Sequence, residues 1–171
     1  MLCRFDYIHT KQEFTIQMPG WVHESYSGRL AKRIQTWLSS IELGVITSNK
    51  DTAALVSEIV NVGRPQLDFP GVPGTMMADQ SFKYQGFPEL VIEVAYSQKP
   101  ADLHARAADY IKWSRGKIQT VVGVDLFEIW CDRRRRQPKR SPAAISIWRA
   151  EIDESTGEAR ISPSKSVINQ V

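Results

Sequence analysis

The sequence has few cysteines, no long apolar run and little net charge. Cys3 and Cys131 are its only cysteines, too few for a disulfide framework and without the spacing of a zinc site. No apolar run approaches the roughly 20 residues that a membrane helix needs, and the first residues lack the apolar core of a signal peptide. These absences predict an intracellular protein, cytoplasmic or nuclear, without a membrane partner.

The motifs of several large enzyme classes are also absent. The chain has no Gly-x-Gly-x-x-Gly, no phosphate-binding Walker loop, no Gly-x-Ser-x-Gly and no His-Glu-x-x-His. Its 171 residues, 42% hydrophobic and 24% charged, predict one globular domain over residues 1–171. A net charge of +3 is too small to indicate a nucleic-acid partner by itself.

The first half of the chain contains one clear helix signal. Apolar residues recur at three- and four-residue steps over residues 22–43 and predict an amphipathic helix that ends at Gly44. Short strands are predicted at 5–9 and 13–17. Residues 45–46 can begin a strand, and the apolar residues 53–62 are compatible with either a helix or a strand. The rest of the segment 45–75 is rich in Gly and Pro. The predicted helical stripe consists of Val22, Tyr26, Leu30, Ile34, Trp37, Leu38 and Ile41.

The second half alternates strand and helix signals. Strands are predicted at 76–84, 90–96 and 118–126, and a helix at 101–113. This order predicts a parallel strand pair with a helical crossover, inside a mixed β-sheet flanked by helices, which is an α/β or α+β fold. Residues 127–131 are predicted to continue or pair with the preceding strand, and 144–148 alternate like an edge strand. A polar turn at 151–158 and a frayed tail from residue 162 complete the predicted C-terminal strands at 143–162.

Glu93 is the residue that points most directly to chemistry. It lies in the middle of the strand predicted at 90–96, whose other members are apolar or aromatic. A carboxylate there is costly to bury unless it is paired or binds a cation. An ion pair with an arginine is the simplest explanation when Glu93 is considered alone.

Asp79 lies near the preceding predicted strand, and a hairpin can bring its carboxylate beside that of Glu93. Two adjacent carboxylates repel unless a proton or a divalent cation joins them. Mg²⁺ suits such a site, since it is held by a few carboxylates and otherwise by water and phosphate oxygens. Considered alone, Asp79 is an ordinary residue of a turn or strand end.

Positive charge is concentrated in one segment. Six of eight consecutive residues are basic, and the run contains no aromatic residue. The segment can be a solvated loop, a loop that contacts phosphates or a nuclear import signal, and the sequence does not decide among these interpretations. The basic residues are Arg133, Arg134, Arg135, Arg136, Lys139 and Arg140.

The segments 78–82, 88–94, 102–110 and 116–125 together resemble the PD-(D/E)XK nuclease superfamily. The resemblance is closer to a restriction-endonuclease family abundant in cyanobacteria and to a group of fungal proteins with the same core. It covers residues 18–130 and implies a restriction-endonuclease-like core.

The resemblance also implies a metal site and partners. Asp79, Glu93 and the backbone carbonyl of Val94 would bind Mg²⁺ or Mn²⁺, and Glu24 of the first helix would be an outer-shell or second-metal ligand. DNA is the implied partner. A homodimer is implied as well, since PD-(D/E)XK nucleases are often dimers.

Three positions depart from the family pattern. Ala78 replaces the proline before the aspartate, and Ala95 stands where the motif lysine is expected. In the closer family the lysine moves to the next helix, where this chain has Arg106. Arginine does not lose its proton in proteins, so Arg106 is a poor general base. It can contact a scissile phosphate or neutralise Glu93. The fallback lysines are Lys83, Lys99, Lys112 and Lys117.

Three further polar residues are assigned structural roles. His23 falls on the apolar face of the first helix and is predicted to be a hydrogen-bonded core histidine. His104 is predicted to face solvent, and Asp125 is predicted to be structural at the end of a buried strand.

Two functional hypotheses follow. The first is a metal-dependent nuclease that hydrolyses DNA, with Asp79, Glu93 and Arg106 at its centre. The second is a catalytically degenerate nuclease fold that acts as a nucleic-acid-binding or interaction module, in which Glu93 and Arg106 form only an ion pair.

Overall fold

The N-terminal hairpin belongs to a small sheet of its own. In the computed structural model, which describes residues 4–8, 12–47, 49–135, 143–162 and 165–169, β1 (Arg4–Ile8) pairs antiparallel with β2 (Glu13–Gln17), as predicted. β1 also pairs with β5 (Gly74–Met77), which pairs with β4 (Gln66–Asp68). The resulting four-stranded sheet has the order β2-β1-β5-β4.

A larger mixed sheet forms the centre of the fold. Its continuous path is β10-β9-β8-β7-β6-β3, and β11 adds to β9. β7 and β8 are parallel, whereas the other neighbours are antiparallel. The strands are β3 (Val60–Gly63), β6 (Gln80–Lys83), β7 (Leu90–Ala95), β8 (Thr120–Asp125), β9 (Ala143–Ile152), β10 (Ala159–Ile161) and β11 (Lys165–Asn169).

Helices cover both faces of this central sheet. They are α1 (Trp21–Glu42), α2 (Lys50–Ser57), α3 (Pro100–Trp113) and α4 (Phe127–Arg135). The predicted fold class, a mixed sheet flanked by helices, is therefore confirmed as α+β. None of the helices in the described part of the chain combines the length and apolar character that crossing a bilayer requires.

The alternation of side chains along β7 explains the layered packing. Ile92 and Val94 point to one face, where they pack in a cluster with Ala31 of α1. Val91 and Ala95 point to the other face, where they pack with residues of α3 and of the small sheet. The strand is therefore buried on both sides, and any polar side chain on it must find its partners inside the protein.

The strand predicted at 76–84 is in fact two strands. β5 ends at Met77 and belongs to the small sheet, whereas β6 begins at Gln80 and belongs to the central sheet. Ala78 and Asp79 lie between them and are 0% and 1% exposed. The chain passes from one sheet to the other at these two buried residues, so a β-prone sequence alone could not reveal the break.

The segment 127–131 was predicted as strand but forms the first turns of α4. Asp125, the last residue of β8, stabilises the start of this helix, because its Oδ1 accepts a hydrogen bond from the backbone N–H of Phe127 at 2.8 Å. The prediction that Asp125 is structural is thus confirmed.

Residues 45–46 do not begin a strand either. Val45 lies in an exposed bend after Gly44, whose φ of +71° lies in the left-handed region.

Predictions for the C-terminal region also need correction. β9 extends over Ala143–Ile152 and lies between β8 and the strands β10 and β11, so it is not an edge strand. The tail beyond residue 162 was predicted to be frayed, but its backbone from Lys165 to Asn169 pairs with β9.

The buried stripe of α1 is narrower than predicted. Leu30, Ile34 and Leu38 do pack against the central sheet, beside the buried Ala31. Trp37, however, is 56% exposed, and Tyr26 is 43% exposed. The helix contacts the sheet along one narrow line, which leaves these rings on its outer side.

Candidate functional site

Asp79 lies where α1 approaches the central sheet. Its Oδ2 accepts a hydrogen bond from the backbone N–H of Val94 at 2.8 Å and lies 3.0 Å from Nε2 of His23. Both side chains are buried. The prediction that His23 is a hydrogen-bonded core histidine is confirmed, and its partner is the aspartate of the predicted motif.

Glu93 projects from β7 towards α3 and is 1% exposed. Its Oε2 accepts a hydrogen bond from Nε of Arg106 at 2.9 Å, and its Oε1 accepts one from the hydroxyl of Tyr110 at 2.6 Å. The helical spacing of Arg106 and Tyr110, four residues apart on α3, places both above the same strand residue. The predicted pair of Glu93 and Arg106 is therefore present.

Arg106 is the centre of a larger set of contacts. Its Nη1 donates to Oδ2 of Asp6 at 2.7 Å, and its Nη2 donates to Oδ1 of Asp6 at 3.0 Å. Nη2 also donates to the backbone carbonyl of Met77 at 2.9 Å and to the hydroxyl of Tyr110 at 3.2 Å. The guanidinium thus contacts two carboxylates, one carbonyl and one hydroxyl, and all three of its nitrogens donate.

This environment fixes the charge of Arg106. Burial by itself would lower the pKa of the guanidinium, but the charge of Glu93, followed by Tyr110 and Asp6, outweighs burial and raises the pKa above its ordinary value. Arg106 is therefore a permanent cation here, and it has no proton-accepting role.

Glu24, the predicted outer-shell ligand, lies on the α1 side. It forms an ion pair with Arg64, and its Oε1 lies 3.5 Å from Nδ1 of His23. Arg64, Glu24, His23 and Asp79 thus form one line of polar contacts. This line ends at the backbone of Val94, next to Glu93.

The structure brings Asp79 and Glu93 to neighbouring positions, but their side chains contact different helices. Gln80 of β6 pairs with Ile92 of β7, so Asp79, which comes just before β6, lies near Glu93, which follows Ile92. Asp79 contacts His23 of α1, whereas Glu93 contacts Arg106 and Tyr110 of α3. Within the described residues, no three His, Cys, Asp or Glu side chains are grouped so that they could hold a metal ion.

A cavity of about 300 Å³ lies next to the Asp79 side of the site. His23 and Val94 form part of its wall, together with Tyr96, Ser97 and Gln98, which follow β7. A second cavity of about 190 Å³ lies on the other side, where Asp6 and Arg106 are among the lining residues. Gln98 lines both cavities, so the Asp79 side and the Arg106 side of the site border neighbouring cavities.

The other sequence candidates lie away from this centre or outside the described part. His104 is exposed, as predicted, and its ring meets that of Trp148 edge-on at 5.9 Å. Lys112 and Lys117 are exposed, and neither of them contacts the site. The basic run does not begin in a loop, because Arg133, Arg134 and Arg135 form the last turn of α4; its side chains and residues 136–142 lie outside the described residues.

Asp6 and Arg64 are the site residues that the sequence did not reveal. Asp6 reaches Arg106 across 100 residues of sequence, and Arg64 reaches Glu24 across 40. An aspartate between Phe5 and Tyr7 in a predicted strand was the available signal for Asp6, since buried strand carboxylates need a partner. Arg64 follows Gly63 in a loop and gave no signal.

Comparison with models of protein families, with curated proteins and with solved structures finds no match to this chain. The superfamily resemblance therefore remains a prediction that depends on the motif residues themselves.

Proposed function

We propose that this chain is a nucleic-acid-binding protein built on a PD-(D/E)XK-type nuclease fold whose catalytic centre is degenerate. The order of elements supports the fold part of the proposal. Asp79 comes directly before β6, Glu93 lies in β7, Arg106 lies in the following helix α3, and the buried strand β8 comes next. The resemblance implies this placement of the motif positions.

The hydrogen bonds of Arg106 are the main support for the proposal that catalysis is lost. The guanidinium occupies the position of the family's motif lysine and contacts Asp6, Glu93, the Met77 carbonyl and Tyr110. A group that is permanently charged and already donates to four partners is a poor base and a poor phosphate ligand. It is well suited to neutralise two buried carboxylates.

The donor set does not fit a divalent cation in its present arrangement. Both oxygens of Glu93 accept hydrogen bonds, and Oδ2 of Asp79 is held by Val94 and His23. Joint coordination by Asp79, Glu93 and the Val94 carbonyl would require Glu93 to give up Arg106 or Tyr110.

One observation favours the metal-dependent nuclease as a second candidate. The site contains four carboxylates, those of Asp6, Glu24, Asp79 and Glu93, against the two guanidinium groups of Arg64 and Arg106 and the imidazole of His23. This excess of negative charge would attract Mg²⁺ or Mn²⁺ to the centre.

Parallel binding and cleavage assays separate the two candidates. Purified protein is mixed with labelled single-stranded and duplex DNA and RNA, and with supercoiled plasmid, each with EDTA, Mg²⁺ or Mn²⁺. Binding in every condition without cleavage is the expected result. Metal-dependent cleavage that Asp79→Ala and Glu93→Ala both abolish would replace the proposal with the nuclease. Absence of binding to all of these nucleic acids would overturn both.

Arg106→Lys provides a sharper test of degeneracy. It restores the residue type that the resemblance places at this helix position and keeps the positive charge beside Glu93. Metal-dependent cleavage that appears in Arg106→Lys but not in the natural chain would support a nuclease centre lost through this substitution. Arg106→Gln, which has neither the charge nor a basic amine, is the matched control.

A further inference from the structure

The outward face of α1 combines cations with an exposed aromatic ring. Arg29, Lys32 and Arg33 are exposed on this face, and Trp37 follows one helical turn after Arg33 with 56% of its surface exposed. The packing of the core does not account for this ring, because α1 contacts the central sheet through Leu30, Ala31, Ile34 and Leu38. An exposed tryptophan beside cations offers a stacking face and positive charge on the same surface.

These residues border one groove. It is an open depression of about 600 Å³ whose lining residues all belong to α1, namely Arg29, Lys32, Arg33, Thr36, Trp37 and Ser40; we call it the α1 groove. A second depression of about 430 Å³ adjoins it, because Arg29 lines both. Tyr26 and Ile129 of α4 also line the second depression. The surface therefore continues from α1 to the helix whose backbone ends in the basic run.

The α1 groove carries charge of one sign. No acidic residue lies between Glu24 and Glu42 in the sequence. Among the residues that the structure describes, none of Arg29, Lys32 and Arg33 has an acidic partner within ion-pair distance. Three cations that form no ion pair with a described carboxylate are available to an anionic partner.

We propose that the α1 groove binds single-stranded nucleic acid, with Arg29, Lys32 and Arg33 on the phosphates and Trp37 stacked on a base. The inference rests on the proposed function and names the surface that performs it. Cations that follow the backbone and a ring that accepts any base are the two components of sequence-tolerant single-strand binding. A duplex would offer phosphates to the cations but no free base face to Trp37.

Other occupants fit these features less well. An acidic protein segment would use the three cations but would leave the ring of Trp37 without a specific role. A second copy of the chain would bring Arg29, Lys32 and Arg33 of both copies together across a two-fold axis, which like-charge repulsion opposes. Single-stranded nucleic acid uses both the charges and the ring.

Fluorescence anisotropy with a labelled single-stranded oligonucleotide and a duplex of the same sequence tests the proposal. The full chain is compared with the charge-reversal triple Arg29→Glu, Lys32→Glu, Arg33→Glu and with Trp37→Ala. The matched control reverses three exposed lysines elsewhere, Lys50→Glu, Lys112→Glu and Lys117→Glu, for the same change in net charge. Circular dichroism and sedimentation verify the fold and the oligomeric state of each variant.

We expect the α1 triple to bind single strands at least about ten-fold more weakly than the control triple. The slope of log affinity against log salt should fall by about 2, since each lost phosphate contact removes about 0.7 for single strands. Trp37→Ala should weaken single-strand binding about five-fold or more, the effect of one stacked base, and change duplex binding far less.

Each contrary result has a distinct meaning. If the natural chain binds nucleic acid but the α1 triple behaves like the control triple, this inference is overturned while the proposed function stands. If the natural chain binds no nucleic acid, the proposed function fails and this inference fails with it. If the α1 triple changes the oligomeric state or the binding of an acidic peptide instead, the groove is a protein interface and the inference is wrong.

Discussion

Arg106 of α3 holds Asp6 of β1 through two parallel hydrogen bonds, from Nη1 to Oδ2 at 2.7 Å and from Nη2 to Oδ1 at 3.0 Å. The pair joins the small sheet to the helix that covers the central sheet. The backbone N–H of Met77 also donates to Oδ1 of Asp6 at 2.9 Å, which ties β5 to the same carboxylate. Arg106, which the sequence places in the motif, therefore also connects the two sheets through Asp6 of β1 and Glu93 of β7.

Arg106→Ala should destabilise the fold by about 3–5 kcal/mol, because it leaves the carboxylates of Asp6 and Glu93 buried without a cation. Arg106→Lys should cost clearly less, since the charge remains while the bidentate fork to Asp6 is lost. Urea unfolding at neutral pH measures both. A loss of less than 1 kcal/mol for Arg106→Ala would show that the network contributes little to stability.

His23→Phe should destabilise the protein by about 1–3 kcal/mol, because the buried carboxylate of Asp79 loses a hydrogen-bond partner while the ring volume is kept. Asp79→Asn in the same background should recover part of this loss, since it removes the buried charge. A double-mutant cycle by urea unfolding measures the coupling. Additive effects of the two substitutions would contradict the contact.

Asp153 should contribute to the pH dependence of stability at acid pH. The pKa of its carboxyl is lowered because the hydroxyl and the backbone N–H of Ser155 donate hydrogen bonds to it, with a smaller contribution from Arg160. A lowered folded-state pKa gives stability that is present above the unfolded value and is lost as the pH falls through the folded value.

Asp153→Asn should therefore lower the urea midpoint at pH 6, and the difference from the natural chain should shrink as the pH falls below about 4. Glu154→Gln, an exposed neighbour in the same turn, is the control. A difference between Asp153→Asn and the natural chain that stays constant from pH 6 to pH 2.5 would contradict this assignment.

Two glycines should respond to alanine in opposite directions. A Cβ on Gly123 of β8 would lie 2.5 Å from Cζ3 of Trp148 and 2.9 Å from Cδ2 of Leu103, so Gly123→Ala should cost about 1–3 kcal/mol. Gly28 lies on an open side of α1 with no atom within 4 Å of such a Cβ, so Gly28→Ala should stabilise the protein by about 0.5–1 kcal/mol. Thermal unfolding of both variants provides the measurement, and equal effects would refute the packing around Trp148.

The sequence predicted those parts of the fold whose local signals agree with their tertiary environment. β7 and β8 are β-branched runs, and α3 has an apolar face that begins after Pro100, so strand, helix and strand were all found. α4 was missed because Ile129 and Trp130 favour a strand locally. The capping pattern of Asp125 followed by Glu128 was present and would have indicated a helix.

The sequence predicted only those residues of the candidate site that lie in the segment 79–106. Asp79, Glu93 and Arg106 lie within 28 residues of one another, and their motif spacing placed them together. Asp6 could not be assigned to them, because no local pattern indicates which distant cation an aspartate in a short hairpin will meet. The split between β5 and β6, which turns Asp79 towards His23, likewise depends on two sheets that sequence periodicity does not distinguish.

The separation of 100 residues between Asp6 and Arg106 has a consequence for the order of folding. Closing so long a loop is entropically costly, so contacts of this kind tend to form after the local ones. β1 and β2 are synthesised before α3, which contains the residue that anchors them. We expect the N-terminal hairpin to dock last, with a φ-value near zero for Asp6→Asn. A φ-value near one would place the hairpin in the folding nucleus instead.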